Sequence, residues 1–562
     1  MFLNQNFKKN WLFLTILMLL SLPAIFNLFR SGYFSMHDDI QVMRLYQMEK
    51  CFLDGQIPCR WVPDMGAGYG YPLFNFYSVF PYYLGAFFRL FSLSFTTIIK
   101  ILFALSLLLS GIFVYFLAKE FFGDFGGLVA AVFYIFAPYH AVDIYVRGAL
   151  AESWAFVFFP LIFWGIYKFI EKGGLSEFLI SIFSLMGLIL SHNLMTLLFM
   201  PIAFLWAVFW LQIKKKKKIL WKILLIFLWS ISLSSFYLFP SFFEKSLVNI
   251  ESLVSDYYNF RNHFPTIKQL FFDRSFGYGP SRIGPFDDMS FQIGLVHWVI
   301  AIITGITAIL IYLRKKRQEL SLLIFVFFIW CFSVFMTHSK SVFIWERFSV
   351  LSFIQFPWRF LGIVMFVGSF LAGGFANFFS ESKKRFLLTL LIIITILLNF
   401  NYFKPEKFYS QKTDQIILSG ESWKIQSMGA ILDYLPKKVK EVPKELAPEA
   451  PWVIEGEALI TEYRKRSDFW RFTIDVSGKS EAKVRVPVFD FPRWEVLIDQ
   501  KPTAVNSDNL YANIEINIPP GKHTVVGWFK NTPIREIANF ITLFSFFCLI
   551  LLIIFKNNAK TI

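Results

Sequence analysis

Residues 8–43 read KKNWLFLTILMLLSLPAIFNLFRSGYFSMHDDIQVM. Two lysines lead into an apolar run from Trp11 to Phe29, long enough as a helix to cross a bilayer core. No small-residue cleavage site clearly follows it, so the run reads as a retained first helix with a cytoplasmic N-terminus. A short polar stretch then brings two adjacent carboxylates, Asp38 and Asp39, to the far surface. How those acids are read decides what the molecule does. How the run before them is read decides its fold.

Runs of the same kind recur along the whole chain. Of 562 residues, 56% are hydrophobic and 20% aromatic, 73 of them Phe, with a mean hydropathy of +0.54. A soluble chain of this length needs more polar surface. Apolar runs bounded by charge or turn residues lie near 11–29, 97–118, 127–145, 154–170, 177–190, 194–212, 219–239, 293–313, 319–336, 358–379, 386–402 and 536–555. The fold class expected is a polytopic α-helical membrane protein of about twelve spans. Lysine and arginine outnumber acids 55 to 39. The excess falls at Lys119, Lys168, Lys172, Lys214–Lys218, Arg314–Arg317, Lys383–Arg385 and Lys556/Lys560, all on one side if the spans alternate. That is the positive-inside pattern and not a nucleic-acid footprint; it puts both termini in the cytoplasm of a plasma-membrane protein.

Polar segments on the other side are 30–96, 146–153, 191–193, 240–292, 337–357 and 403–535. The last changes character: FWRFTIDV, AKVRVPVF, WEVLID, NIEINI and HTVVGWF alternate with period two between Pro, Gly and Asn. The domains expected are a transmembrane domain over 1–402 that includes the first outer loop, a linker over 403–451, an extracytoplasmic antiparallel β-sandwich over 452–530, and a final helix and tail over 531–562. Cys331 and Cys548 sit in apolar runs; Cys51 and Cys59 lie in the first outer segment, where pairing is left open.

Residues 40–55 carry apolar side chains at helical spacing, which predicts an amphipathic helix along the membrane surface ending near Gly55. Asp38 or Asp39 could simply cap it. RWVPDMGAGYGYPLFNFY (60–77) lacks the Lys-Ser/Thr of a nucleotide loop. Its glycines and rings instead suit a wall for a sugar and a lipid headgroup, with Tyr69, Tyr71, Asn75 and Tyr77 as pocket candidates. On the same side, YVRGALAESW brings Arg147 and Glu152, LSHNLM brings His192 and Asn193, and FIQFPWRFLG brings Arg359. Each has a bland reading: the arginines snorkel to lipid phosphate and His192 caps a turn. Taken together, cations at a membrane edge suit an anionic leaving group.

HDD, the 54–88 stretch, IYVRGALAESWAFVFFPLIFWG, LSHNLMTLLF, FPWRFLG and the C-terminal FPRWEVLIDQKP…IPPGKHTVVGWF together resemble the bacterial YfhO-like membrane proteins. They also resemble a related family labelled 6-pyruvoyl-tetrahydropterin synthase-related, although the chain has no His-rich zinc pattern. The group resembles the GT-C glycosyltransferases, and that resemblance implies a catalytic carboxylate in the first outer loop, at Asp38 or Asp39, and a lipid-phosphate sugar donor. The function expected is inverting transfer of a sugar from polyprenyl phosphate to an acceptor hydroxyl on a surface glycan, glycolipid or polymer. Arg147, His192 and Arg359 would receive the lipid phosphate. Adjacent carboxylates can also hold a divalent cation, Mg²⁺ or Mn²⁺. The competing classes are a lipid-linked sugar transporter or flippase, which would want mid-membrane ionisable helices, and a non-enzymatic envelope assembly factor.

Overall fold

A computed structural model describes residues 2–284, 286–315 and 320–558. Lys316, Arg317 and Lys560 of the basic clusters lie outside them, as do the side chains of Lys8, Lys9 and Lys556. The chain divides into two compact units. One comprises residues 1–39, 99–230 and 254–411, and the other residues 40–98, 231–253 and 412–562.

Among the described residues, eight helices are long and apolar enough to cross a membrane, and up to ten if each of two bent helix pairs is one span. The difference from about twelve has local causes. Phe95–Ile135 is one 41-residue element, but Gly123 (φ 74°, ψ −178°) reverses it. A Cβ on Gly111 would overlap Ile135, and one on Gly127 would lie 2.9 Å from the Tyr115 carbonyl oxygen. Its two arms therefore pack against each other through small residues. Leu175–Ser191 is short at 17 residues. Ser321–Thr337 bends by 93° into Ser339–Arg347.

The apolar run 127–145 is not one helix, contrary to the expectation. The helix stops at Ile135 because Ala137 is extended (ψ 132°) before Pro138, and a residue preceding proline avoids the helical region. A short turn, Pro138–Ala141, and a wide π turn, Val142–Arg147, follow. Leu150–Lys172 and Leu175–Ser191 then form a close pair, turning at Gly173 (φ 71°), with Gly165 against Ser181 and Gly187 against Phe158. Helix Leu361–Gly374 meets this pair where Gly362 faces the Phe156 ring, which fixes the approach of residues 357–360.

In the second unit, helix Gln41–Leu53 forms as predicted but does not lie bare on a surface. Val42, Met43, Leu45, Met48 and Cys51 are buried, and so are Arg44 and Gln47. The polar pair is satisfied inside, Arg44 by the Tyr77 hydroxyl at 2.8 Å and Gln47 by Asp64 at 2.9 Å. Cys51 and Cys59 form a disulfide. Two antiparallel sheets follow. One orders Glu457–Lys465, Phe469–Ser477, Gly521–Phe529, Trp494–Ile498 and Lys501–Thr503; the other orders Trp452–Glu455, Ala482–Phe489 and Asn513–Ile518. Alternate residues such as Trp470, Phe472 and Ile474 from the first and Val484, Val486 and Ile516 from the second share one buried cluster. Period two in the sequence thus becomes a two-layer sandwich. Residues 403–451 are structured: Phe408–Tyr409 pairs with Tyr33–Phe34 in the first unit, and Gly420–Met428 is a helix of the second.

Candidate functional site: a buried arginine–carboxylate cluster

The site is built on the helix break. After Pro138, the π turn carries Asp143 and Arg147, and it ends at Gly148 in the left-handed region (φ 64°). Only glycine suits that position, because a Cβ would drive into Met36. Asp143 accepts from Arg147 Nη1 at 2.6 Å and from the Ser153 hydroxyl at 2.7 Å. The next helix starts at Leu150 and brings Glu152 into its first turn. Glu152 pairs with Arg147 Nη2 at 2.8 Å and accepts from the Tyr139 hydroxyl at 2.7 Å.

Two further chain segments close on the same carboxylate. His192 lies between two helices; its Nδ1 accepts the Met195 N–H at 3.2 Å. The imidazole hydrogen is therefore on Nε2, which lies 4.0 Å from Glu152. Arg359 comes from the turn Pro357–Phe360, with Nε 3.6 Å from Glu152. Its Nη1 donates to the Ile354 carbonyl at 2.7 Å and to Gln355 Oε1 at 3.0 Å. Gln355 itself sits at φ 65°, an uncommon backbone state for a non-glycine residue, which this hydrogen bonding helps to hold. Arg359 Nε is buried and makes no hydrogen bond. Trp358 lies under the Arg147 guanidinium at 4.8 Å.

The cluster is layered by charge. The side chains of Asp143 and Glu152 are wholly buried, whereas those of Arg147, His192 and Arg359 are 11%, 14% and 9% exposed. The carboxyl groups lie deepest, with two guanidinium groups and one imidazole slightly nearer the surface. Burial, reinforced by Glu152, holds the Asp143 carboxyl well above its usual range despite Arg147. Burial works against the Arg147 charge but is outweighed by Glu152, Tyr139 and Asp143, so that guanidinium stays ionised. Burial pushes His192 down to about 3, against the pull of Glu152, so its ring is neutral near pH 7. Two guanidinium groups, Arg147 and Arg359, thus lie beside the two buried carboxyl groups.

The acids expected to act as base lie on the adjoining strand of chain. His37 and Asp38 donate their backbone N–H groups to the Val146 and Arg147 carbonyls, both at 2.9 Å. Asp38 and Asp39 are each half-buried. His37 reaches the Tyr278 carbonyl through Nε2 at 2.7 Å, and burial followed by Arg147 lowers its pKa, with Asp38 opposing. The helix that the acids could cap has Ile40 in its N-cap position, directly after Asp39.

Four of the predicted residues, Arg147, Glu152, His192 and Arg359, thus converge. Asn193 is next to them in sequence, as the first residue of its helix, and is half-buried. The glycine loop residues belong to the other unit, where their atoms are committed to protein. Tyr69 stacks on Phe489 at 5.0 Å and Tyr71 bonds the Ala430 carbonyl at 2.7 Å. Asn75 accepts from Arg60 at 3.1 Å, and Tyr77 lies under Arg44 at 3.9 Å. Asp143, Tyr139 and Ser153 escaped the sequence reading. Asp143 and Arg147 stand four apart, but the apolar run around Asp143 made it look like span interior. Among the described residues, no three His, Cys, Asp or Glu side chains are grouped to hold a metal ion.

Residues 70–440 match the family described as bacterial membrane protein YfhO. The chain belongs to that family. The match says nothing of a relationship to the pterin-labelled proteins. An uncharacterized protein of Lactococcus lactis subsp. cremoris (strain MG1363) is 28% identical over 285 residues, 49% of this chain and 44% of that one. Among solved structures, the apo oligosaccharyltransferase of Archaeoglobus fulgidus aligns with a TM-score of 0.42 and 14% identity, covering 72% of this chain and 57% of that chain. The same organism's AglB, in complex with an inhibitory peptide and a dolichol-phosphate, aligns with a TM-score of 0.42 and 13% identity over the same shares. The chain spans under half of its curated relative and somewhat over half of these archaeal chains.

Proposed function

We propose that this membrane protein is an inverting glycosyltransferase that moves one sugar from a polyprenyl-phosphate donor to an acceptor hydroxyl at the outer face. The observation that supports the reading is the gathering of two guanidinium groups, Arg147 and Arg359, and the neutral His192 around buried Glu152, next to the strand of Asp38 and Asp39.

In the proposed reaction the acceptor oxygen attacks the anomeric carbon from the face opposite the phosphate. Its proton passes to Asp38, with Asp39 as the alternate base. The bond from the anomeric carbon to the phosphate oxygen breaks, its electron pair leaves with the polyprenyl phosphate, and configuration inverts. Arg147 and Arg359 stabilise that departing charge in a partly dehydrated setting, where charge-assisted bonds are strongest. The neutral His192 donates a hydrogen bond from Nε2. The proposed topology keeps both termini in the cytoplasm and residues 30–96 outside, and the Cys51–Cys59 disulfide supports an oxidising compartment for that segment.

The test is transfer by purified protein supplied with polyprenyl-phosphate sugars, comparing Asp38→Asn and Asp39→Asn. A general base contributes about 10²–10⁴-fold, so at least one variant loses two or more decades of turnover while inserting normally. Full turnover in both removes the mechanism. Release of free polyprenyl phosphate separates a transferase from a transporter, which leaves the donor intact.

A further inference from the structure

A lysine-lined cavity lies in the first unit, apart from the arginine cluster. A cavity of about 930 Å³ opens where Leu150–Lys172 and Asn193–Ile213 end and the helix from Leu220 begins. Six lysines line it: Lys172, Lys215, Lys216, Lys217, Lys218 and Lys222. Its floor is apolar, from Phe169, Ile170 and Ile219. Among the described residues, no carboxylate lines it. The acids of this region are engaged elsewhere: Glu171 with Lys168 and Lys214, Glu120 with Lys168, and Glu177 with Ser176.

The turn is built and not merely a loose basic tail. Lys215 takes a left-handed backbone (φ 55°), and Lys216 then folds back so that its amine bonds the Ile170 and Glu171 carbonyls, both at 2.8 Å. One lysine is thus spent on capping a helix. Among the described residues, none of the other five makes a close ion pair with a carboxylate, and only Lys172 feels one at longer range, Glu177. Around the mouth, Ile213, Leu220, Trp221 and Leu224 are exposed apolar side chains, and Lys222 lies near the Trp221 ring at 5.5 Å. Tryptophan beside lysine marks the level where acyl chains meet headgroups.

We propose that this cavity binds the phosphate-bearing headgroup of an acidic phospholipid, with the lysines around the phosphate and the acyl chains running out past Trp221 and Leu224. The apolar floor and mouth favour a lipid over a free phosphate anion, which needs only the charges. In the topology proposed above, the site belongs to the cytoplasmic leaflet, where anionic lipid draws basic residues. It is independent of glycosyl transfer.

The test uses the full chain in phosphatidylcholine nanodiscs with and without phosphatidylglycerol, reading retained lipid by native mass spectrometry. Wild type retains phosphatidylglycerol preferentially. A triple variant, Lys215→Gln, Lys217→Gln and Lys218→Gln, leaves the Lys216 cap intact and loses affinity by about fivefold per lysine, the factor for ~1 kcal/mol per basic residue at an anionic surface. Arginine at the same three positions keeps the preference. Equal retention of phosphatidylcholine, or an unchanged preference in the triple glutamine variant, overturns the proposal. Inorganic pyrophosphate in pure phosphatidylcholine nanodiscs separates the two sources: tight binding there overturns the lipid assignment, and weak binding supports it. Should the glutamine variant fail to insert, the wild-type comparison of the two lipids still decides.

Discussion

Replacing Glu152 with Gln pulls stability and anion affinity in opposite directions. The carboxylate holds Tyr139 at 2.7 Å and Arg147 at 2.8 Å, with Arg359 at 3.6 Å and His192 at 4.0 Å. Removing one partner of a buried ion pair costs about 3–5 kcal/mol. Arg147 keeps Asp143 at 2.6 Å, and Arg359 keeps its bonds to Ile354 and Gln355. The expected loss is therefore near the lower end, about 3 kcal/mol. The same change removes the negative charge that now competes with an incoming phosphate. At an effective dielectric near 20, one unit charge over roughly 8 Å is worth about 2 kcal/mol, or about thirtyfold in affinity. E152Q therefore melts earlier and holds polyprenyl phosphate more tightly. Tryptophan-fluorescence melting of the detergent-purified protein, across a titration of polyprenyl phosphate, measures both effects. A variant as stable as wild type refutes the electrostatic unit. A destabilised variant whose melting responds no more strongly to the lipid phosphate than wild type assigns the arginines to packing alone.

Arg359→Ala removes a donor from the cluster and raises the donor KM about tenfold or more, since a hydrogen bond to a charged group is worth about 1.5–3 kcal/mol; steady-state kinetics with varied donor checks this, and an unchanged KM removes Arg359 from the site. His192 is held down to about 3 from an ordinary 6.5, so the folded protein binds fewer protons than the unfolded chain between those values. Its contribution to stability is complete above about pH 6.5 and is lost as pH falls toward 3. The melting temperature therefore declines from pH 7 to pH 5, and the decline is shallower in His192→Asn. Gly70→Ala, at φ 89° with the Trp61 indole in the way of a Cβ, destabilises the second unit by roughly 1–3 kcal/mol, read by thermal melting of the full chain.

The parts of the fold written as periodicity were legible. Apolar runs of bilayer length gave the helices, and alternation in FWRFTIDV and NIEINI gave the sandwich. The parts set by single backbone states were not. The turn at Gly123 falls in the gap already read between the runs 97–118 and 127–145, but the close packing of its two arms through Gly111 and Gly127 was not visible there. Pro138 sat in plain view, but the apolar residues on either side masked the break and with it the π turn carrying Asp143. At the site, the cations were legible because charge at a membrane edge is costly and therefore informative. The Gly/Tyr loop is ambiguous for a related reason: aromatic rings that suit a sugar face suit a β-sheet face equally well, and Tyr69 stacks on Phe489.

The contact between residues 36–38 and the end of the π turn has a mechanical consequence. Met36 fills the space that Gly148 leaves empty, and the next two N–H groups are tied to Val146 and Arg147. Acid and guanidinium are thereby gauged from a common backbone joint and not by the reach of flexible side chains. A movement that peels that joint open spoils the spacing it sets.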